Sequence, residues 1–166
     1  MEIRIRPATE NDFEAINNLR AQVNALHVQG RPDIFKPGFC EELQGHLKMY
    51  LASETNAVIA ADADGQIVGF AMVDYIMRPE SPYNLARSFY HVAEIGVDPA
   101  FQRKGVATAL TAYMKKDALQ RGFPSIELDV WAFNESALAF YEKAGFTTYR
   151  RFMELPLKED QGEMNP

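Results

Sequence analysis

Polar and apolar residues alternate from Glu2 to Arg6, the period of a half-buried strand. Phe13, Ile16, Leu19, Val23 and Leu26 then recur at three- and four-residue intervals, which describes one buried helical face. Pro7 and Thr9 introduce that helix, with Thr9 as N-cap and Asp12 at the third helical position, and its end is expected near His27–Gly30. Gly30–Gly38 carries two prolines and two glycines around Ile34 and Phe35, so it reads as a loop with apolar anchors. A shorter helix is predicted over Cys40–Leu51.

Strands are predicted at Ala57–Ala61 and Ile67–Tyr75, flanking Asp62–Gln66, whose Asp64-Gly65 pair signals a hairpin. Arg78–Arg87 is polar and contains proline, hence a loop, and Phe89–Val97 is a further strand closed by Asp98-Pro99. Val106, Leu110, Tyr113, Met114 and Ala118 mark a second long helix from Arg103 to about Arg121, ended by Gly122 and Pro124. Ser125–Trp131 alternates as a strand, Asn134 caps a short helix running to Gly145, and Phe146–Leu155 is the last predicted strand. The order β α α β β β α β α β, without repeats or an interior linker, gives one α+β domain over residues 1–157 and a polar tail at Lys158–Pro166. Its front half is antiparallel, while Phe89–Trp131 implies a parallel strand pair joined by a crossover helix.

Composition narrows the classes. The 166 residues are 47% hydrophobic and 24% charged, which suits a globular domain able to bury a core. The net charge of −6 argues against nucleic acid or an anionic membrane as main partner and is compatible with a cationic one. Cys40 is the single cysteine, so no internal disulfide forms, and it is expected to be a buried small side chain or an idle thiol. Three scattered histidines give no metal-ligand cluster. With no apolar leader and no apolar run near the ~20 residues that span a bilayer, the expectation is a soluble, cytoplasmic protein.

The chemistry concentrates in Ala93–Thr108, AEIGVDPAFQRKGVAT. A strand ends at Val97, the chain turns at Asp98-Pro99, and Gln102-Arg103-Lys104-Gly105-Val106-Ala107 opens the long helix. Unpaired amides at a helix start, together with the positive end of its dipole, form an anion site. Gly105 and Ala107 leave room for a bulky anion, and Arg103 and Lys104 add charge. Physics alone thus points to a phosphate or pyrophosphate.

Gln102–Ala107 resembles the Q/R-x-x-G-x-G/A signature of the GCN5-related N-acetyltransferase (GNAT) family, with Ala107 in place of the commoner second glycine. Asn134–Phe146, NESALAFYEKAGF, is similar to that family's N-x-x-A-x-x-x-Y-x-x-x-G-F pattern, and the likeness spans roughly residues 2–155. The resemblance implies a mostly antiparallel central sheet with one splayed parallel strand pair and helices on both faces. It also implies acetyl-CoA as co-substrate, held by Ile95, Gly96, Val97, Gln102, Arg103, Lys104, Gly105, Val106, Ala107, Thr108, Asn134 and Tyr141. Val97 would offer its backbone N–H to the thioester oxygen, and Tyr141 would protonate the departing sulfur, although core packing also explains a tyrosine at that position.

For the base, Glu94 stands first: a carboxylate in a central strand is costly unless solvated, paired or in use. Asp129, five residues before Asn134, is the rival, and His91 a third candidate. Simple alternation puts Glu94 and Gly96 on the face opposite Ala93, Ile95 and Val97, with His91 sharing the face of Ala93. The resemblance places the acceptor between His27–Pro37 and Arg78–Arg87. There Asp33 reads as a cap or solvent-facing carboxylate before it reads as a cation ligand, and Trp131 as a cleft wall or sheet cover. The implied reaction is acetyl transfer to a primary amine, a small cationic one being favoured by charge. Transfer to protein N-termini or lysines, an acyl-CoA sensor without catalysis, and pairing of two copies stay open.

Overall fold

The computed structural model describes residues 2–157, so the expected polar tail and the end of the domain lie outside the described residues. Strand β1 (Ile3–Pro7) leads through a 3-10 turn at Glu10–Asp12 into helix α1 (Phe13–Gly30), and helix α2 covers Glu41–Leu51. Strands β2 (Asn56–Ala63), β3 (Gln66–Arg78) and β4 (Arg87–Val97) follow, then helix α3 (Val106–Gln120), the short strand β5 (Ile126–Leu128) and helix α4 (Glu135–Lys143). The strands lie in chain order in one sheet, antiparallel from β1 to β4 and parallel between β4 and β5. The β2–β3 hairpin turns at Asp64 and Gly65, both with positive φ (52° and 90°), as an Asp-Gly hairpin demands.

The two sheet faces bury separate cores. Val106, Leu110, Met114 and Ala118, the stripe of α3, pack on Ile59, Ala61, Ala71, Val73, Tyr90 and Val92. Ile16 and Leu19 of α1 and Leu47 of α2 pack on Val58, Ala60, Phe70 and Met72. Alternate residues of each central strand thus serve opposite layers, which is why these strands read as almost continuously apolar.

The entry to α1 is tied to the sheet by charge. Arg6 donates through both terminal nitrogens to Asp12 (2.7 and 2.9 Å) and through one of them to Asp62 (3.1 Å). Asp12 also accepts from the Thr9 amide (2.7 Å), completing a capping box. The Arg6 hydrogen bonds, helped by the Thr9 amide against the cost of burial, hold the Asp12 carboxyl down at about 2. Asp12→Asn is expected to lower the unfolding free energy by about 2 kcal/mol at neutral pH, measured by urea unfolding. Because the folded pKa is depressed, the charge-linked share is complete above the ordinary carboxylate range and is lost as pH falls through about 2. The gap between the two proteins should therefore close in acid.

Two expected strands come out differently. Ser125–Trp131 pairs only over Ile126–Leu128, matched to Tyr90–Val92. Beyond that point β4 carries a bulge, and the chain after Leu128 instead brings Trp131 and Phe133 against Phe35 and His27. Phe146–Leu155 forms no strand. Its apolar side chains Tyr149, Phe152, Met153 and Leu155 stay exposed, because alternation makes a strand only where a free edge lies in register. Side-chain contacts hold the segment instead, from Tyr149 Oη to Glu127 (2.7 Å) and from Arg31 to Glu154 (3.0 Å).

Candidate active site

The parallel pairing of β4 with β5 stops at Val92 and Leu128, so a gap opens between Ala93–Val97 and the chain leaving β5. The orientation of the β4 amides follows from their partners. Tyr90 donates toward the β5 side (to Ser125 O, 2.9 Å), whereas Asp98 donates to Val68 O on β3 (2.9 Å). Backbone amides alternate along a strand, so Val97 and Ile95, one and three residues before Asp98, turn their N–H groups toward the gap. These donors sit in a sheet yet lack a neighbouring strand.

The register skips Ala93: Glu94 lies opposite Met72 and Val92 opposite Val73. This bulge corrects the expectation that His91 and Glu94 point to opposite faces. Tyr90, Val92, Ile95 and Val97 all face the α3 layer, so the phase inverts across Ala93. His91 and Glu94 consequently share the α1–α2 face. Gly96 lies on that face too, where an added Cβ would stand 2.7 Å from Phe70 and 2.8 Å from Val23, so its small size is required by packing.

Glu94 is clamped. Arg20 Nε donates to its Oε2 at 2.9 Å, and the side chains are 5% (Arg20) and 22% (Glu94) exposed. Burial raises the Glu94 pKa, opposed by the charge and hydrogen bond of Arg20. Beside it, Asp74 on β3 accepts from Asn56 and lies 3.2 Å from His91 Nδ1. The other ring nitrogen of His91 is 3.8 Å from Asp129, whose side chain is 82% exposed. Burial, then the neighbouring Asp74, pushes the Tyr50 phenol up. Asp74, Phe89, His91, Asp129, Glu127 and Tyr149 line a groove of about 380 Å³. Glu127 is already neutralised there by Arg87.

At the other end of the gap, Asp98 caps a 3-10 turn at Pro99–Phe101 through the Ala100 amide (2.8 Å), and the chain then enters a left-handed passage. Arg103 has φ 57° and Gly105 φ 86°, so helix α3 starts at Val106, three residues after the expected start at Arg103. The first hydrogen bond to the helix cap runs from Ala109 N–H to Gly105 O (2.9 Å), which leaves the amides of Val106, Ala107 and Thr108 outside the helical ladder. Left-handed residues in such a turn gather successive N–H groups into a concavity that accepts anions. Arg103 and Lys104 flank it, exposed, and no protein atom lies within 4 Å of a Cβ built on Gly105.

Asn134 caps α4 through its side chain, accepting from Ala137 N–H at 3.2 Å. Tyr141, on the same helix, packs edge-on to Phe146, and burial pushes its phenol up to about 12. It therefore stays a proton donor across the neutral range. Trp131 joins Phe35, His27 and Phe133 in a closed ring of aromatic contacts, with centroids 5.1 to 6.3 Å apart, between the α1–α2 loop and the chain after β5. Gly30 is needed there, since a Cβ would fall 2.3 Å from Phe133. Asp33 pairs with Arg31 (2.7 Å), and Cys40 is exposed at the start of α2 rather than buried.

Sequence reasoning missed Arg20, Asp74, Asn56 and Tyr50. Arg20 left a trace: it stands four residues after Ile16 on the apolar stripe of α1, where a charge is out of place. Nothing local distinguishes Asp74 at the end of an apolar strand.

A model of the acetyltransferase (GNAT) family matches residues 25–146, and the chain belongs to that family. It is thereby an N-acetyltransferase with acetyl-CoA as co-substrate. It is 29% identical over 148 residues to acetyltransferase ECA0875 of Pectobacterium atrosepticum, covering 89% of each chain. A tetramutant of the BH1408 protein from Bacillus halodurans superposes with a TM-score of 0.89 at 26% identity, over 93% of this chain and 99% of that one. The aminoglycoside acetyltransferase AAC(6')-Iy, solved with a bisubstrate analogue, shares the fold at a TM-score of 0.75 and 20% identity, over 95% and 99% of the two chains. Among the described residues no helix is long and apolar enough to cross a membrane.

Proposed function

We propose that this chain transfers the acetyl group of acetyl-CoA to a primary amine on a small cationic acceptor, with Glu94 as base and Tyr141 as acid. The observation that carries the reading is the opening between β4 and β5, where the outward amides of Ile95 and Val97 stand beside a half-buried carboxylate. Acetyl-CoA supplies an activated thioester. The turn from Gln102 to Thr108 binds its pyrophosphate through backbone amides, with Arg103 and Lys104 adding charge. An aminoglycoside N-acetyltransferase of the same fold, solved with CoA, supports acetyl-CoA as the co-substrate. The Ile95 and Val97 amides donate to the pantetheine arm and to the thioester oxygen, fixed donors aimed where negative charge develops. Asn134 lies beside the same arm.

The acceptor enters on the α1–α2 face. Glu94 takes the proton the amine loses, directly or through one water. Asp74 and Asp129 stand on that side of the opening, in a groove that Arg78 and Arg150 also line. The aminoglycoside acetyltransferases that share the fold support a small cation over a protein segment. Tyr141 donates to the departing sulfur. A thiol of pKa ~8.5 leaves readily as thiolate at neutral pH, so the gain from the acid falls at the low end of the usual range.

The test is thiol release from acetyl-CoA with spermidine, neamine, simple diamines, and peptides with a free N-terminus or a lysine. Turnover is expected with the polycationic small molecules, and Tyr141→Phe is expected to lower kcat about 10²-fold with little change in KM. Turnover confined to peptides would sink the acceptor assignment. Unchanged kcat in Tyr141→Phe would sink the assignment of the acid.

A further inference from the structure

Helix α1 carries a charged side chain in its buried stripe that the reaction as described does not use. Arg20 has a single carboxylate partner, Glu94 Oε2 at 2.9 Å. A second nitrogen is held as well: Nη1 donates to Asn17 Oδ1 (3.0 Å) and to the Leu43 carbonyl on α2 (2.7 Å), and Cζ lies 5.3 Å from the centre of the Phe39 ring. A rigid donor fork held at two points by two helices is costly to bury, and through Nε it holds one carboxylate oxygen of β4 in place. No donor among the described residues reaches the other oxygen, Oε1.

We propose that Arg20 is a positioning residue for acetyl transfer: it anchors Glu94 Oε2 and thereby presents Oε1 toward the acceptor beside the β4–β5 gap. The inference rests on Glu94 as base. A carboxylate on a strand beside a bulge has two free torsions before its terminal one, and a proton acceptor must stand within hydrogen-bond reach of its donor. The Arg20 contact removes that freedom. It also opposes the burial that raises the Glu94 pKa, the charge and hydrogen bond of Arg20 offsetting the desolvation in part. The other groups facing Glu94 are His46 and Tyr50 on α2, with Asp74 two residues beyond Met72 on β3. Of these only His46 adds positive charge, and it stands exposed.

The experiment follows the Glu94 side-chain carboxyl by carbon-13 NMR in the full chain. Glu94→Gln assigns the resonance, and wild type, Arg20→Met and Arg20→Lys are compared. Thiol release with spermidine and neamine is recorded against pH in the same proteins. In Arg20→Met the Glu94 titration midpoint is expected to rise by about 1 to 3 pH units. The acid limb of the rate profile should move up with it, and kcat at its plateau should fall at least about 10-fold with KM little changed. Arg20→Lys keeps the charge without the fork. It should restore the midpoint and only part of kcat.

A folded Arg20→Met protein with the wild-type midpoint and profile overturns the proposal, and so does a lower melting temperature as the sole effect. The titration needs no acceptor, so it decides even where neither probe turns over. Should Glu94→Gln keep wild-type turnover while the midpoint still follows residue 20, the reading of Glu94 as base has failed and the proposal fails with it. Should Glu94→Gln be inactive and Arg20→Met unaltered, the proposal alone has failed.

Discussion

Glu94→Gln lowers kcat by about 10³-fold at pH 7 and removes the acid limb of the pH profile. A Lys-type amine has a pKa of ~10.4, and its nitrogen becomes strongly acidic as it bonds to the acetyl carbon, so a proton must go somewhere during attack. General bases contribute typically 10²- to 10⁴-fold. The size of this effect, compared with that at Tyr141, follows from the two protons: an amine proton has no easy exit, whereas a thiolate is a tolerable leaving group. Glutamine keeps the shape of the side chain and an oxygen to accept from Arg20 Nε, so the loss belongs to proton transfer rather than packing. The sign of the pH dependence is set by burial, which raises the Glu94 pKa. Only the ionised form accepts a proton. Activity should therefore decline as pH falls through a midpoint above the ordinary carboxylate range, and this limb should vanish in the variant. A variant with wild-type kcat and the same limb would instead bring Asp129 forward, which reaches the site from the β5 side.

Gly105→Val weakens acetyl-CoA binding by about 10²- to 10³-fold, read by calorimetry as Kd. Valine at φ 86° is strained by about 1 to 2 kcal/mol in the left-handed region with or without ligand, a cost to stability. The cost to binding comes from its branched side chain, which fills the side of the turn where no protein atom lies within 4 Å. Displacing an anion from even one charge-assisted amide costs about 1.5 to 3 kcal/mol, and every 1.4 kcal/mol is tenfold in Kd. Gly65→Val is the control, since Gly65 has φ 90° and equally open surroundings but sits in the β2–β3 turn. It should match the loss of stability and leave acetyl-CoA binding intact. Equal binding by all three proteins would remove the turn from the co-substrate site.

Much of this architecture was legible because its signals are local. The apolar stripes of α1 and α3, the Asp64-Gly65 turn and the Asn134 cap each express a short-range preference that the tertiary structure had no cause to override. The turn ahead of α3 is local in the same way, its glycine and basic flank lying within six residues. Where the reading went wrong, the deciding partner lay elsewhere in the chain. Phe146–Leu155 alternates like a strand but found no ladder, and Ser125–Trp131 lost more than half of its pairing. His91 was assigned to the wrong face because one extra residue, Ala93, inverts the phase of β4, and an unpaired alanine leaves no mark in an apolar sequence.

Sequence alone determined the family and the order of layers, because binary patterning, turn residues and the two family motifs are each encoded within a few residues. Tertiary structure decided what surrounds the carboxylate. Arg20, Asn17, Leu43, Tyr50 and Asp74 come from three elements, and their convergence on one face of β4 depends on the bulge, the helix packing and the sheet register together. The pKa of Glu94 depends on burial and on an ion pair between residues 74 positions apart, and no pattern along the chain records either.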